Sequence, residues 1–335
     1  MYREAASAGS AVRAQLEANG ARVARLAADL RSAPPRAVVT CARGSSDNAA
    51  TFARYLIETR LGILTSSAAP SVSSLYQAAP DLRGTLLLVI SQSGASPDLL
   101  ATVSRGKAAG ARVLALVNAP GSPLAALADE VLPLGAGPER SVAATKSYLA
   151  SLAAIVQLIA AWAADGELAT ALERAPAQLA QAWELDWSAA LARLTPVTSL
   201  YVVGRGPGLA AAQEAALKLK ETCALHAEAV SAAELHHGPL ALVRPGFPVL
   251  VLAQHDASHA GVEQLAASLA TQGAQVLLAG ARAAGAIGLP TLAAHPVIEP
   301  LLLVQSVYRL ANALAIARGE DPDRPPHLAK VTETV

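Results

Sequence analysis

One short stretch in the second half of the chain holds the densest group of side chains able to move protons. It contains Glu214, Lys218 and Glu221, and it continues to the adjacent histidines His236 and His237. Lys218 and Glu221 are three residues apart, so on a helix they share one face and can meet at one substrate. Glu221 is therefore a candidate proton-transfer base, with Lys218 placed to keep it ionised or to adjust its pKa. Because no third ligand has a suitable spacing from the histidines, no metal site is predicted.

An isolated Lys-x-x-Glu pair is most often a solvated helix face. Here the predicted helix follows Gly206 directly, at the end of an apolar run that is typical of a strand. In an open parallel sheet, ligands bind outside the carboxyl ends of the strands. This location favours a functional pair.

Two segments of the first half combine hydroxyl side chains with glycine. Arg43-Gly-Ser-Ser-Asp-Asn48 follows one apolar run, and Ser91-Gln-Ser-Gly-Ala-Ser96 follows the next. Backbone N–H groups and small hydroxyl residues at a helix N-terminus bind a phosphate monoester without needing a lysine. The alternative is that these serines only cap their helices. Two such loops in one half favour a phosphate site, and neither is a Walker P-loop. In the second half, Gly204-Arg-Gly206-Pro-Gly208 has the wrong spacing for a dinucleotide-binding fingerprint.

An internal repeat indicates how these segments are positioned. Ala37–Gly44 resembles Ser199–Gly206 at an offset of 162 residues, and the apolar runs that begin at Leu87 and Val249 share that offset. Each half alternates continuous Val/Leu/Ile runs with helical patterns, which predicts a parallel α/β sheet covered on both faces. In the second half, the loops equivalent to the hydroxyl loops have changed in sequence, to Gly206-Pro-Gly208 and Gln254-His-Asp256.

The predicted domains follow from this repeat. A helix over roughly Ala6–Arg31 is expected before the first half. The boundaries are an N-terminal helix at 1–30, a first domain at 31–165, a linker helix at 166–191, a second domain at 192–325 and a C-terminal tail at 326–335.

Composition excludes several classes of protein. The 335 residues carry 26 Lys+Arg and 26 Asp+Glu, a zero net charge that argues against nucleic acid as the main partner. Hydrophobic residues make up 53 %, which excludes a disordered chain, and two cysteines are too few for a disulfide framework. The charged start has no export signal, and Tyr148–Ala164 is expected to be a buried helix rather than a membrane span. A cytoplasmic protein with no membrane partner is predicted.

The order and spacing of several motifs resemble a known family. These motifs are Gly44-Ser-Ser46, Ile90-Ser-Gln-Ser-Gly94, Ala144-Thr-Lys146, Ala216-Leu-Lys-Leu-Lys-Glu221, His226-Ala-Glu-Ala229, Glu234-Leu-His-His-Gly-Pro-Leu240 and Leu328-Ala-Lys330. Over the whole chain they resemble the double sugar-isomerase (SIS) module of glucosamine-6-phosphate synthase and stand-alone SIS-type glucosamine-6-phosphate deaminases. The resemblance implies two tandem SIS domains, each a parallel five-stranded sheet flanked by helices in a flavodoxin-like three-layer sandwich.

The resemblance also implies a role for each matching residue. Glu221 would move the proton between C1 and C2, with Lys218 beside it. His237 would open the sugar ring from the neighbouring subunit, which implies a homodimer, and Lys330 would meet the sugar carbonyl carbon. The sugar and its phosphate would be bound by Gly44, Ser45, Ser46, Ser91, Gln92, Ser93, Ser96, Val142 and Ala143. No cofactor is expected, because the carbonyl of the sugar phosphate itself accepts the electrons.

Four positions differ from the synthase pattern: Arg43, Ala95, Ala144 and His236 replace Cys, Glu, Ser and Lys. Since the chain opens directly on the isomerase module, the leading hypothesis is a glucosamine-6-phosphate deaminase that yields fructose 6-phosphate and ammonia. The alternatives are a synthase-type aminotransferase component supplied with ammonia, and a related phosphosugar isomerase or deglycase. A sugar-phosphate sensor is the non-enzyme alternative.

Overall fold

The computed structural model of the chain describes residues 1–78 and 80–330, so the predicted tail is covered only as far as Lys330. The strands are β1 (Ala37–Cys41), β2 (Thr65–Ser67), β3 (Thr85–Ser91), β4 (Arg112–Val117), β5 (Glu130–Pro133), β6 (Ser199–Gly204), β7 (His226–Ser231), β8 (Pro248–Leu252), β9 (Gln275–Ala279) and β10 (Ile287–Leu289). The helices are α1 (Tyr2–Ala6), α2 (Ala8–Ser32), α3 (Ser45–Leu61), α4 (Pro70–Ser74), α5 (Pro97–Ala108), α6 (Pro123–Leu127), α7 (Lys146–Trp162), α8 (Gly166–Trp183), α9 (Ser188–Leu194), α10 (Gly208–Cys223), α11 (His259–Thr271) and α12 (Glu299–Ala317). Two short 3-10 helices cover Glu234–His237 and Pro239–Leu242.

The chain forms two compact units, which are described separately. The first unit contains Ser10–Glu139, Lys146–Glu173 and residues 328–330. The second unit contains Met1–Gly9, Arg140–Thr145 and Arg174–His327.

The first unit is built on a five-stranded parallel sheet. Its strand order is β2-β1-β3-β4-β5, the flavodoxin-like order that reverses between β1 and β3. Every residue of β3 is buried, because this central strand is covered on both faces. β1 and β3 pair in parallel, with Cys41 opposite Val89, so the loops that leave their carboxyl ends start side by side.

The second unit repeats this architecture. Its parallel sheet has the order β10-β9-β8-β6-β7, which is the same order in reverse, and β6 pairs with β8. β1 and β6 begin at Ala37 and Ser199, the two positions that the 162-residue repeat equates. The predicted fold class of two parallel five-stranded sheets flanked by helices is confirmed.

Two apolar helices belong to the cores of these units. In α7, 15 of 17 residues are buried, which confirms the buried helix predicted around Tyr148–Ala164. α12 is long and apolar enough to cross a membrane by length and composition, but 78 % of its most apolar window is buried within the fold. That degree of burial is typical of a core helix.

The N-terminal helix differs from the prediction. The structure has α1 and α2 where one helix over Ala6–Arg31 was expected, with Ser7 between them. The Ser7 hydroxyl donates a hydrogen bond to the Glu4 carbonyl oxygen at 2.8 Å, which satisfies a carbonyl at the end of α1. A serine that bonds its own backbone ends the first helix locally, and hydrophobic periodicity does not report that.

Candidate functional site

The loop between β1 and α3 places two predicted phosphate ligands at the start of a helix. Gly44 is the N-cap residue of α3, with φ of 57° and ψ of −133°, a conformation that favours glycine. Its carbonyl oxygen accepts a hydrogen bond from the Asp47 N–H at 2.9 Å, which starts the helix. Ser45 and Ser46 therefore lie in the first turn of α3, and both are partly exposed.

The loop between β3 and α5 is shaped by its own hydroxyl groups. The buried Ser91 hydroxyl accepts a hydrogen bond from the Gly94 N–H at 2.9 Å, and the Ser93 hydroxyl accepts one from the Ala95 N–H at 3.3 Å. Gly94 has φ of 63°, and a Cβ there would lie 2.3 Å from the Ser122 hydroxyl oxygen. Only glycine fits this turn without displacing its neighbour.

Within the described residues, neither α3 nor α5 has a side-chain capping hydrogen bond from its N-cap residue, which is the alternative that the sequence left open. Ser96 is the N-cap residue of α5, but its side chain makes no capping hydrogen bond, and at α3 the cap is a glycine. Among the described residues, the side chains of Gln92 and Ser96 have no hydrogen-bond partner, and both are partly exposed. The loop after β3 therefore presents two polar side chains that the described part of the fold does not use.

An ion pair joins the two loops. The Arg43 guanidinium, half exposed, donates from Nε and Nη2 to Asp98 Oδ2 at 2.8 and 2.5 Å. Asp98 lies in the first turn of α5 and is 1 % exposed, and its other oxygen accepts the Leu99 N–H at 2.7 Å. Arg43 precedes Gly44, so the pair fixes the loop after β1 against the helix that follows the loop after β3.

In the second unit, the equivalent loops are filled by the protein's own side chains. Gln254 is 1 % exposed, and its Nε2 donates to the Arg205 carbonyl oxygen at 2.7 Å and to Asp256 Oδ2 at 2.9 Å. A Cβ at Gly208 would lie 2.1 Å from Gln254 Oε1, so the amide lies directly against the start of α10. In the first unit, by contrast, Gln92, the residue that the repeat equates with Gln254, is partly exposed.

Helix α10 carries the predicted proton-transfer pair, and the structure brings its members together. Lys218 Nζ donates a hydrogen bond to Glu221 Oε2 and lies 3.5 Å from Glu214 Oε1. The side chains of Lys218 and Glu214 have no exposed surface, whereas Glu221 is 21 % exposed. The result is a row of carboxylate, ammonium and carboxylate in which only the last group is accessible.

Neighbouring elements hold this row in place. The Tyr308 hydroxyl on α12 donates to Glu214 Oε1 at 2.9 Å. At the other end of α10, Arg318 Nε donates to the Cys223 carbonyl oxygen at 2.7 Å, which satisfies an unpaired carbonyl of the last turn. Glu214 and the C-terminal end of α10 are therefore each fixed by a contact from outside α10.

The other two predicted catalytic residues belong to other elements of the chain. His237 is exposed in the 3-10 helix Glu234–His237, and none of the described residues is hydrogen-bonded to its ring. Lys330 belongs to the first unit, where its Nζ donates to Glu139 Oε2 at 3.3 Å. Glu139 is fully buried and also accepts hydrogen bonds from the Ser147 hydroxyl at 2.6 Å and the Ser147 N–H at 3.2 Å.

The predicted backbone site at Val142 and Ala143 is partly occupied. The Val142 N–H donates to the Asp323 carbonyl oxygen at 3.3 Å, and Ala143 is fully buried. A role of this segment in sugar binding stays a prediction. Within the described residues, no three His, Cys, Asp or Glu side chains are grouped closely enough to hold a metal ion.

Comparison with known proteins identifies the family. The SIS domain model matches residues 30–161 and 193–287. The chain belongs to the SIS domain family. The first matched segment contains β1 to β5, and the second contains β6 to β9.

Individual relatives are similar to this chain over most of its length. It is 36 % identical over 308 residues to the glutamine–fructose-6-phosphate aminotransferase (isomerizing) of Aeropyrum pernix, covering 86 % of this chain and 49 % of that protein. The chain thus spans about half the length of the curated relatives it matches. A crystal structure of a proposed phosphosugar isomerase from Silicibacter pomeroyi is 42 % identical with a TM-score of 0.93, covering 96 % of this chain and 99 % of that one. The C-terminal domain of glucosamine-fructose-6-phosphate aminotransferase from Francisella tularensis is 25 % identical with a TM-score of 0.87, covering 97 % and 98 %.

The sequence alone assigned no role to several residues that contact α10, Lys330 and the loop after β1. Glu214 is four residues before Lys218, so the spacing that paired Lys218 with Glu221 would also have found it. Tyr308 and Glu139 contact residues 94 and 191 positions away in the sequence, and no local pattern reports such contacts. Arg43 was recognised as a departure from the family pattern, but its ion pair with Asp98 was not predicted.

Proposed function

We propose that this SIS chain is a phosphosugar isomerase that converts glucosamine 6-phosphate and water into fructose 6-phosphate and ammonia. The observation that carries the proposal is the Glu221 carboxylate, partly exposed and hydrogen-bonded to a fully buried ammonium group, Lys218. A carboxylate held in this way is suited to accept a proton from carbon and return it to the neighbouring atom.

The phosphate of the substrate is assigned to the two hydroxyl loops of the first unit. Ser46 and Ser96 lie at the N-terminal ends of α3 and α5, where backbone N–H groups favour an anion. Gln92 belongs to the same loop as Ser96 and is partly exposed. These groups are the kind that bind a phosphate monoester, which supports a sugar phosphate rather than a free sugar as substrate.

The proposed reaction proceeds by proton transfers within the substrate. His237 assists the opening of the pyranose to the aldehyde, which acidifies the proton on C2. Glu221 removes the C2 proton to give an enolamine and then protonates C1, which leaves a ketimine at C2. Water adds to the ketimine carbon, and the C–N bond breaks to release ammonia and form the C2 ketone of fructose 6-phosphate.

The remaining residues support these steps. Lys218 is fully buried, so we assign it a positioning role on Glu221 rather than contact with the sugar. Lys330 is proposed to meet the carbonyl end of the open-chain sugar. The exposed His237 fits the expectation that it serves the site of a neighbouring subunit in a homodimer.

A second candidate is the reverse, aminating direction, in which ammonia and fructose 6-phosphate give glucosamine 6-phosphate. The name of the 36 % identical relative from Aeropyrum pernix favours it. The same residues serve both directions, because the intermediates are shared.

The first experiment follows ammonia and fructose 6-phosphate during incubation of the purified protein with glucosamine 6-phosphate. Equal amounts of both products are expected. In Glu221→Gln, the rate should fall by about 10²- to 10⁴-fold, the usual contribution of a general base. Glu184→Gln, at an exposed glutamate of the same unit (73 % exposed), is the matched control and should keep the parent rate.

The outcomes separate the candidates. Undiminished ammonia release by Glu221→Gln would contradict the proposal. Formation of glucosamine 6-phosphate from fructose 6-phosphate and ammonium, without measurable release, would select the aminating direction. Tight binding of either sugar phosphate with no turnover in any direction would indicate a sensor.

A further inference from the structure

We propose that Arg43 is the residue that makes this site select phosphorylated sugars, by supplying a positive charge shared between the buried Asp98 carboxylate and the phosphate of the substrate. The inference rests on the proposed sugar-phosphate function and adds a specificity-determining residue to it. Arg43 is one of the positions at which the chain departs from the synthase pattern, so a family resemblance alone does not assign its role.

The first step of the argument is the position of Arg43. It is the residue directly before Gly44, and its side chain reaches Asp98 two residues after Ser96. The guanidinium therefore lies between the two hydroxyl loops. It uses Nε and Nη2 for Asp98, while 51 % of the side chain stays exposed. A guanidinium has further N–H donors in a fixed plane, and these suit a phosphate oxygen.

The second step is the charge of the two loops. Asp98 and Asp47 bring two carboxylates to a place where a dianion is expected, and Arg43 is the cation that acts on both. Desolvation raises the pKa of the Asp47 carboxyl above its ordinary value, and the Arg43 charge opposes that rise. Without Arg43, the two carboxylates would repel an entering phosphate.

The third step is the contrast with the second unit. Arg205 is the residue that the repeat equates with Arg43, but Ala260 stands at the position of Asp98. Arg205 is exposed, and its Nη1 donates to the Ser231 hydroxyl at 3.2 Å. Of the two equivalent arginines, only Arg43 is paired with a buried carboxylate, and it belongs to the first unit, whose loops keep their hydroxyl groups.

The test is the affinity for fructose 6-phosphate, measured by titration calorimetry, with inorganic phosphate as a competing probe. In Arg43→Met, both dissociation constants should rise by about 10- to 100-fold, the loss of one charge-assisted hydrogen bond. Arg43→Lys keeps the positive charge, so its loss of affinity for both ligands should be smaller than that of Arg43→Met. Arg205→Ala is the matched control and should bind both ligands like the parent. The dependence of affinity on salt should also weaken in Arg43→Met.

A double variant separates phosphate contact from a purely structural role. If Arg43 served only to neutralise Asp98, then Arg43→Met in an Asp98→Asn background would bind like Asp98→Asn alone, and the proposal would be overturned. We expect the loss of affinity to persist in that background. Circular dichroism confirms folding of each variant, and Arg43→Lys provides the test if Arg43→Met fails to fold.

The measurement does not depend on turnover. Arg43-dependent binding by a protein that releases no ammonia would contradict the proposed function and leave this inference standing. A parent protein that binds neither probe would overturn the inference.

Discussion

Lys218 is an ammonium group with no exposed side-chain surface, placed between the carboxylates of Glu214 and Glu221. Transferring a charged group from water into the protein interior is costly, and the cost is offset only when an oppositely charged partner and hydrogen bonds are in place. Here Glu214 is as deeply buried as Lys218 and receives a hydrogen bond from Tyr308. The row therefore depends on each of its members.

Replacing Lys218 by Met should destabilise the fold, because it leaves the Glu214 carboxylate buried without its cation. We expect a loss of about 3–5 kcal/mol in the free energy of unfolding, the usual result of breaking a buried pair. Urea denaturation measures it. The double variant Glu214→Gln with Lys218→Met removes both charges and should regain part of the loss. Equal stability of Lys218→Met and the parent would contradict a buried ionised pair.

At the scale of the elements, the two hydroxyl loops follow neighbouring strands on either side of the point where the strand order reverses. α3 and α5 both begin next to a glycine-dependent turn, at Gly44 and Gly94. The turns differ in their surroundings, since a Cβ would meet nothing within 4 Å at Gly44 but would overlap Ser122 at Gly94. The second loop is the more tightly constrained of the two.

Gly94→Ala should therefore cost about 2 kcal/mol or more of unfolding free energy, from the left-handed backbone and the overlap with Ser122. Gly121→Ala is the control, because a Cβ there meets nothing within 4 Å and its φ is not positive. Urea denaturation compares the two. A stable Gly94→Ala protein would show that the turn can adopt another conformation.

The elements also show what a sequence can and cannot predict. The core strands β3 and β8 are continuous apolar runs, so their strands and the parallel fold class were predictable. β2 and β10 have three residues each and little apolar signal, and only the family resemblance implied five strands. In the candidate site, helical spacing was enough to pair Lys218 with Glu221. The contacts of Tyr308 with Glu214 and of Glu139 with Lys330 depend on tertiary packing, so the sequence did not predict them.

At the scale of the whole molecule, each unit contains one buried cysteine. Cys41 ends β1 in the first unit, and Cys223 ends α10 in the second. Burial raises the pKa of Cys41 to about 12 and that of Cys223 to about 11. Both thiols are therefore protonated and unreactive at neutral pH, since the thiolate is the reactive form.

Thiol labelling should accordingly report the opening of each unit. At pH 8 the native protein should react with a disulfide reagent far more slowly than the unfolded chain. Mass spectrometry of digests, at increasing urea, assigns the label to Cys41 or Cys223. Rapid labelling of either in the native protein would contradict its burial.

The same pKa values predict how stability depends on pH. A thiol whose pKa is raised in the folded state binds its proton more tightly there than in the unfolded chain. Its contribution to stability is present below about pH 9, the ordinary thiol value, and is lost as pH rises toward 11–12. Cys223→Ser should reduce the alkaline loss of unfolding free energy in urea titrations from pH 8 to pH 11. An unchanged slope would contradict the prediction.

The Gln254 side chain has a consequence for the history of the chain. The two sheets have the same strand order, and their sequences resemble each other at an offset of 162 residues. Both features are expected from duplication of one ancestral segment. In the second copy, the Gln254 amide lies against Gly208, at the start of the helix that corresponds to the proposed phosphate-binding helix α3 of the first copy. If phosphate is bound by the first copy, as we propose, sequence changes in α10 leave that binding unaffected. We interpret the Lys218–Glu221 pair as the outcome of that freedom, a division of labour between duplicates within one polypeptide.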